Sequence, residues 1–219
     1  MISPRIISVS TGPVRDMVIG ARPGRSGIDK RQASEPVAVS MLGLAGDEHG
    51  DAEHHGGAEQ AIYAYSREDL DWWAERLGRE LRNGQFGENV TTSGLDISTA
   101  LIGETWRMGQ IVVQVTSPRI PCVTFASWTQ EDHWVRRFAA AGRPGAYLRV
   151  LAEGEIRAGD DIEVLARPSQ RVTVAESMRA YYGDTDLMRA ILTVPGRGSQ
   201  WDEISEVVLG RVRPAAGAA

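Results

Sequence analysis

Cys122 is the only cysteine in the 219-residue chain, in Ser117-Pro118-Arg119-Ile120-Pro121-Cys122, directly after the apolar run Gln110 to Thr116. That run reads as the strongest strand of the chain. Two prolines within four residues break a ladder, so the segment after the run is expected to be a rigid loop. Arg119 beside the cysteine favours thiolate over thiol. A thiolate so placed serves as a nucleophile, a persulfide carrier or a soft-metal ligand. The plainer alternative is a small buried hydrophobe.

A second constellation lies at 46–57, where three of the four histidines, four acids and four glycines fall within twelve residues. It reads as a solvated acidic loop, as a His/carboxylate site for a divalent metal, or as an anion pocket. In the last case Gly56 and Gly57 would expose backbone N–H groups beside a protonatable His55. A third group is Phe86-Gly87-Glu88-Asn89, in which Glu88 and Asn89 either meet a ligand's polar edge or hold the turn. Lys30 can pair with a phosphate, or simply be solvated. There is no G-x-S-x-G, no Walker A motif and no G-x-G-x-x-G after a strand.

The elements that position these residues are mainly strands. Arg5 to Ser10, Met17 to Ala21, Val37 to Met41, Ala61 to Tyr65, Gln110 to Thr116, Ala146 to Leu151 and Asp161 to Leu165 are β-leaning runs. Gly20 to Gly27 reads as a break. Short strands with frequent turns predict a barrel or sandwich rather than a parallel sheet. One helix opens at Ser66 and closes at Gly78, with Leu70, Trp73, Ala74 and Leu77 on one face. A second is expected from about Thr129 to Ala141. After Arg167-Pro168 the pattern becomes helical throughout. Thr173-x-x-Glu176 is a capping box, Asp184 caps a second helix and Ser199 a third. The expected organisation is therefore a mainly β (α+β) domain over 1–167, a three-helix appendage over 168–212 and a disordered tail over 213–219.

Composition narrows the function classes. The net charge of −5 does not favour nucleic acid or an anionic membrane surface. No apolar run reaches the roughly 20 residues that span a bilayer, and the N-terminus lacks a signal-peptide layout. One cysteine forms no intrachain disulfide and cannot build an iron–sulfur or multi-cysteine zinc site. A reducing, cytoplasmic setting is the simplest reading.

Several segments taken in order resemble the MOSC domain (molybdenum cofactor sulfurase C-terminal domain), in its YiiM-like branch. They are SGIDKR at 26–31, LGLAGDE at 42–48, HHGG at 54–57, AIYAYSRED at 61–69, FGENVTTSGLD at 86–96, IGETWRMG at 102–109 and SPRIPC at 117–122. The three-helix tail resembles that branch's C-terminal domain. The resemblance implies a β-barrel with peripheral helices and makes Cys122 the ligand of molybdenum in a molybdopterin-type cofactor, or a carrier of sulfur destined for it. It implies reduction of N-hydroxylated compounds, hydroxylaminopurine-like bases among them. It assigns Lys30, His55, Arg119 and Arg67 to the cofactor pocket, with Glu88 and Asn89 suited to the pterin's polar edge. The chain departs from the family at Glu53 and Gln60, where relatives often carry basic residues, which shifts the holding of an anion to Lys30 and Arg119.

Three functions follow from these expectations. In the first, a molybdenum-dependent oxidoreductase takes electrons from a separate reductase partner, because the chain carries no flavin or nicotinamide motif. In the second, the protein carries cofactor or sulfur as a Cys122 persulfide. In the third, it is an interaction module whose helical tail docks a partner or forms a homodimer. Pyridoxal phosphate is not expected, since its lysine belongs to a different domain of full-length sulfurases.

Overall fold

The structure is a computed structural model that describes residues 3–48, 50 and 56–210. Its centre is an eight-stranded sheet. Four of its strands are β1 (Arg5–Thr11), β7 (Ile62–Ser66), β10 (Ile111–Pro118) and β11 (Ala146–Ala152). With β4 (Arg31–Gln32), β8 (Val90–Ser93), β9 (Thr105–Met108) and β13 (Ile162–Ala166) they run in the order β13-β9-β10-β11-β7-β8-β1-β4. All neighbours are antiparallel except β7 and β8. Arg5 bridges to Asp161 just before β13, and Ile6 N–H donates to Asp160 at 2.8 Å, so the sheet curls back on itself. A small sheet of β5 (Val37–Ser40), β6 (Gly43–Leu44) and β12 (Gly154–Ile156) and a hairpin of β2 (Arg15–Ile19) and β3 (Arg22–Ser26) flank it.

The mainly β (α+β) expectation agrees with this architecture. Three local expectations do not. Gly20 to Gly27 is not a break: Gly20, at φ 62°, turns the chain into the β2–β3 hairpin. Strand β10 does not stop before its prolines. It continues through Pro118, which pairs with Ala146. The β9 ladder ends with Thr105 opposite Gln114, so beyond it β10 has an open side where proline removes no needed donor. The helix expected over 129–141 is two helices, α2 (Val123–Thr129) and α3 (Trp134–Ala141). Gln130 and His133, both left-handed at φ 56° and 55°, separate them.

Helix α1 (Arg67–Leu77) is capped by Ser66, whose side chain accepts from Asp69 N–H, and is ended by left-handed Gly78. Its buried Trp73 joins Tyr63, Tyr65, Phe86, Phe125, Trp134 and Phe138 in an aromatic cluster outside the sheet. The interior face of the sheet forms the main core, with Trp106, Met108 and Val113 wholly buried.

Helices α4 (Val174–Tyr181), α5 (Thr185–Leu192) and α6 (Gln200–Gly210) form the expected three-helix segment. Thr173 and Glu176 make the reciprocal capping box, and Asp184 caps α5. Val174, Met188, Ile191 and Trp201 belong to the same hydrophobic cluster as the sheet interior. Trp201 Nε1 donates to the Thr116 carbonyl of β10 at 3.0 Å. The tail expected to be disordered lies outside the described residues. No helix among the described residues is long and apolar enough to cross a membrane.

Candidate functional site

Where β10 runs out, Arg119-Ile120-Pro121 carries the chain to Cys122, the residue preceding α2, at φ −125° and ψ 175°. Half-buried Cys122 borders a cavity of about 290 Å³ whose walls include Lys30, Tyr63, Asn89, Arg119 and Tyr147. Gly27 and Gly87 form part of its rim. A Cβ at Gly27 would fall 2.0 Å from the Glu48 carbonyl, and Gly87, at φ 75°, lies against Ile28. Neither position has room for a side chain.

Arg119 is the principal cation of this cavity. It is 8% exposed. Its guanidinium lies over the rings of Phe125 and Tyr63, and its Nε is buried without a hydrogen-bond partner. It forms no ion pair with a described carboxylate. Burial opposes its charge, but Tyr147, Tyr63, Cys122 and Glu88 together hold it above the ordinary arginine value. The coupling to Cys122 is reciprocal, so a positive Arg119 favours the Cys122 thiolate.

Lys30 is 5% exposed and is paired with Asp47, which also accepts from Gly12 N–H at 3.0 Å and from Asn89 Nδ2 at 2.8 Å. Burial lowers the Lys30 pKa, and Asp47 opposes that shift. One Lys30 donor is thus committed to Asp47 while the side chain still lines the cavity. Asn89 also lines the cavity, but its amide is occupied. Its Oδ1 accepts from Tyr63 N–H at 3.0 Å, and Nδ2 serves Asp47 and the Ser10 carbonyl. The site therefore places Asn89 as a post holding strand β7 against Asp47.

Of the residues singled out in the sequence, the fold brings Lys30, Asn89, Arg119 and Cys122 to one cavity. Glu88 is corrected. It is wholly buried and does not border the cavity; its carboxylate accepts from Gly84 N–H, from Phe86 N–H at 2.9 Å and from the Thr91 hydroxyl at 3.1 Å. It holds the turn, the second of the readings given above. Nor does Arg67 border the cavity; it is half-buried at the start of α1 and bonded to Asp71 and Asn83. His55 and Glu53 lie outside the described residues. Within the 46–57 segment, Gly50 and Gly56 border the cavity, Asp47 holds Lys30, and Glu48 accepts from Val14 N–H at 2.7 Å. No group of three metal-binding side chains occurs among the described residues.

Sequence reading missed Arg25, Tyr63 and Tyr147, all of which border the cavity. The β2–β3 hairpin presents Arg25. Tyr63 was legible as an alternate position of the AIYAY strand. Tyr147 stands opposite Tyr63 in the β11–β7 register, a pairing that only the assembled sheet supplies.

The curled sheet, the hairpin-walled cavity and a cysteine at the end of its longest strand define a recognised class. Residues 51–163 match the model of the MOSC domain, and the chain belongs to that family. It is 33% identical over 186 residues to the uncharacterized protein YflK of Bacillus subtilis, covering 85% of this chain and 84% of that protein. A protein named Reductase from Gibberella moniliformis is 32% identical over 178 residues, covering 80% of this chain but only 31% of that protein's length. Among solved structures, YiiM from Geobacillus stearothermophilus superposes with a TM-score of 0.78 at 30% identity, covering 94% of this chain and 99% of that one.

Proposed function

We propose that this protein binds a molybdopterin-type molybdenum cofactor and reduces N-hydroxylated compounds, with hydroxylaminopurine-like bases as one substrate class. The observation that carries this reading is a thiol, Cys122, sharing one cavity with a buried arginine whose Nε has no partner and with the ammonium of Lys30. A buried cation without a carboxylate is costly unless an anion completes it. A phosphorylated pterin supplies such an anion, and a thiolate is a fitting ligand for its metal. Membership of the MOSC family and the reductase-named relative support the same reading.

In this reading Cys122 would hold the metal, and Arg119 and Lys30 would neutralise the phosphate. Arg119 also lies close enough to Cys122 for its charge to act on the thiol. When bound, the cofactor supplies the two-electron chemistry that the protein itself lacks. Overall, an N–OH group, two electrons and two protons give N–H and water. The electrons come from a separate reductase partner.

The test is molybdenum content, together with turnover of an N-hydroxylated substrate by a chemical reductant, in the wild type and in Cys122→Ala. Near-stoichiometric metal and turnover are expected in the first and neither in the second. A molybdenum-replete, active Cys122→Ala protein overturns the reading. Gain of one sulfur on Cys122 from a desulfurase, without turnover, would make the protein a carrier instead.

A further inference from the structure

A second chamber, of about 210 Å³, lies between the end of β10 and the helical segment. Four residues line both it and the first cavity: Gln60, Arg119, Cys122 and Tyr147. Tyr147 is held firmly in this shared wall. It stands opposite Ser117 of β10 and Tyr63 of β7 in the sheet. Its carbonyl accepts from the Thr116 hydroxyl at 3.0 Å, and its ring lies 5.2 Å from that of Tyr63. The neighbouring tyrosines spend their hydroxyls on backbone, since Tyr63 donates to the Pro144 carbonyl and Tyr65 to the Arg143 carbonyl, each at 2.8 Å. The Tyr147 hydroxyl, by contrast, makes no hydrogen bond to a described residue, although the side chain borders both spaces. Burial raises its pKa, Arg119 opposes that shift and Cys122 adds to it, so at neutral pH the hydroxyl keeps its proton and is a donor. A fixed ring with an unspent donor, sharing a wall with a buried guanidinium, is an arrangement that stabilises negative charge on an oxygen.

We propose that Tyr147 is a further catalytic residue, which together with Arg119 forms an oxyanion seat beside Cys122 and donates to the oxygen that leaves the substrate. The proposal rests on the reductase reading for the identity of that oxygen, but not for the seat itself. In the reaction two electrons from the reductase partner break the N–O bond. One proton from water goes to the nitrogen and one to the departing hydroxyl, which leaves as water. Tyr147 keeps its own proton throughout and lends it as a hydrogen bond while charge develops on the oxygen. A phenylalanine in its place would keep the ring and its packing on Tyr63 and lose only the donor.

The experiment compares the wild type with Tyr147→Phe in two states of the full chain. In cofactor-free protein, calorimetry measures the binding of sulfate, an oxyanion with no affinity for a thiol. In molybdenum-loaded protein, kcat and KM for an N-hydroxylated substrate are measured with a chemical reductant. Tyr147→Phe is expected to bind sulfate about tenfold or more weakly, the loss of one hydrogen bond to a charged acceptor. It is expected to lose about a hundredfold in kcat, with KM and molybdenum content unchanged. An unchanged thermal midpoint is expected too, which separates a lost donor from lost packing. Equal sulfate affinity in the two proteins, no sulfate binding by the wild type, or an unchanged kcat overturns the proposal. Loss of molybdenum in Tyr147→Phe also overturns it, since Tyr147 would then serve to hold the cofactor. Tyr147-dependent sulfate binding in a wild type that turns over no N-hydroxylated substrate would keep the oxyanion seat and overturn the reductase reading.

Discussion

The guanidinium carbon of Arg119 lies 4.2 Å from the centre of the Phe125 ring and 4.9 Å from that of Tyr63. The two rings offer π faces to a cation that has left water, a compensation weaker than a carboxylate would give. Tyr63 is held in turn by its hydroxyl, which donates to the Pro144 carbonyl at 2.8 Å, and Phe125 by its place in the aromatic cluster. The charge is therefore positioned by the fold and left available to an anion.

Arg119→Met is accordingly expected to leave the thermal midpoint of cofactor-free protein unchanged or raised, since a desolvated charge is replaced by an apolar chain. The same variant is expected to lose ten- to a hundredfold in cofactor affinity, about 1.5–3 kcal/mol for a hydrogen bond to a charged group. Arg119→Lys keeps the charge but loses the planar stacking, and is expected to fall between the two. Molybdenum content and thermal denaturation, measured on the same preparations, check both outcomes.

Removing Asp47 is expected to be costly. Its side chain and that of Lys30 are 3% and 6% exposed, so Asp47→Ala leaves a buried ammonium unpaired and also strips a partner from Asn89 and Gly12. A loss of about 3–5 kcal/mol is expected in urea denaturation. Adding Lys30→Met should restore part of that stability. A double variant no more stable than Asp47→Ala would show that the ion pair is not the source of the loss.

Glu88 makes a pH prediction whose sign is fixed by its burial. Burial raises its pKa, against backbone N–H bonds from Glu88, Gly84 and Phe86 and the hydroxyl of Thr91. A folded pKa above the unfolded one means that the protonated form contributes stability below the ordinary carboxylate range. That contribution is lost as pH rises through the folded value. Glu88→Gln cannot titrate, and it turns an amide donor toward backbone donors. It is expected to be less stable at acidic pH by about 1–3 kcal/mol, with the gap to wild type narrowing as pH rises. Asp69, shifted in the same direction, is present in both proteins and cancels. A gap that stays constant across pH would count against the assignment.

The three-helix segment is expected to unfold together with the sheet. It shares the sheet's hydrophobic cluster, and Leu101 bridges to Thr173. A single transition, coincident by circular dichroism and tryptophan fluorescence, is the expected result. Trp201→Ala should lower stability by about 3–5 kcal/mol in that same transition. Two separated transitions would instead make 168–212 an independently folding domain.

Much of the fold is legible locally, because its signals are local. Ser66 and Gly78 bound α1, and Thr173 with Glu176 opens α4, because a cap needs only residues three or four apart. The failures lie where the backbone conformation or the pairing of neighbouring strands overrides residue preference. Pro118 stays in the ladder because β9 has already ended, and Thr129 ends a helix because Gln130 adopts a left-handed conformation. For Glu88 and Asn89 the sequence offered two readings, a ligand's polar edge or the turn itself. Only the assembled structure assigned their bonds to a turn and to Asp47.

The sequence by itself determined the family, the mainly β architecture, the capped helices and the single cysteine. Each depends on residue type and short spacing, which the linear chain preserves. The tertiary structure alone decided that Arg119 is buried without a described carboxylate partner, that Lys30 pairs with Asp47, that Tyr63 stands opposite Tyr147, and that Tyr147 shares a cavity wall with Cys122. Cys122 and Tyr147 are far apart in sequence, and what unites them is the pairing of β11 with the end of β10. Desolvation and pairing are properties of such neighbours, and folding is what makes them neighbours.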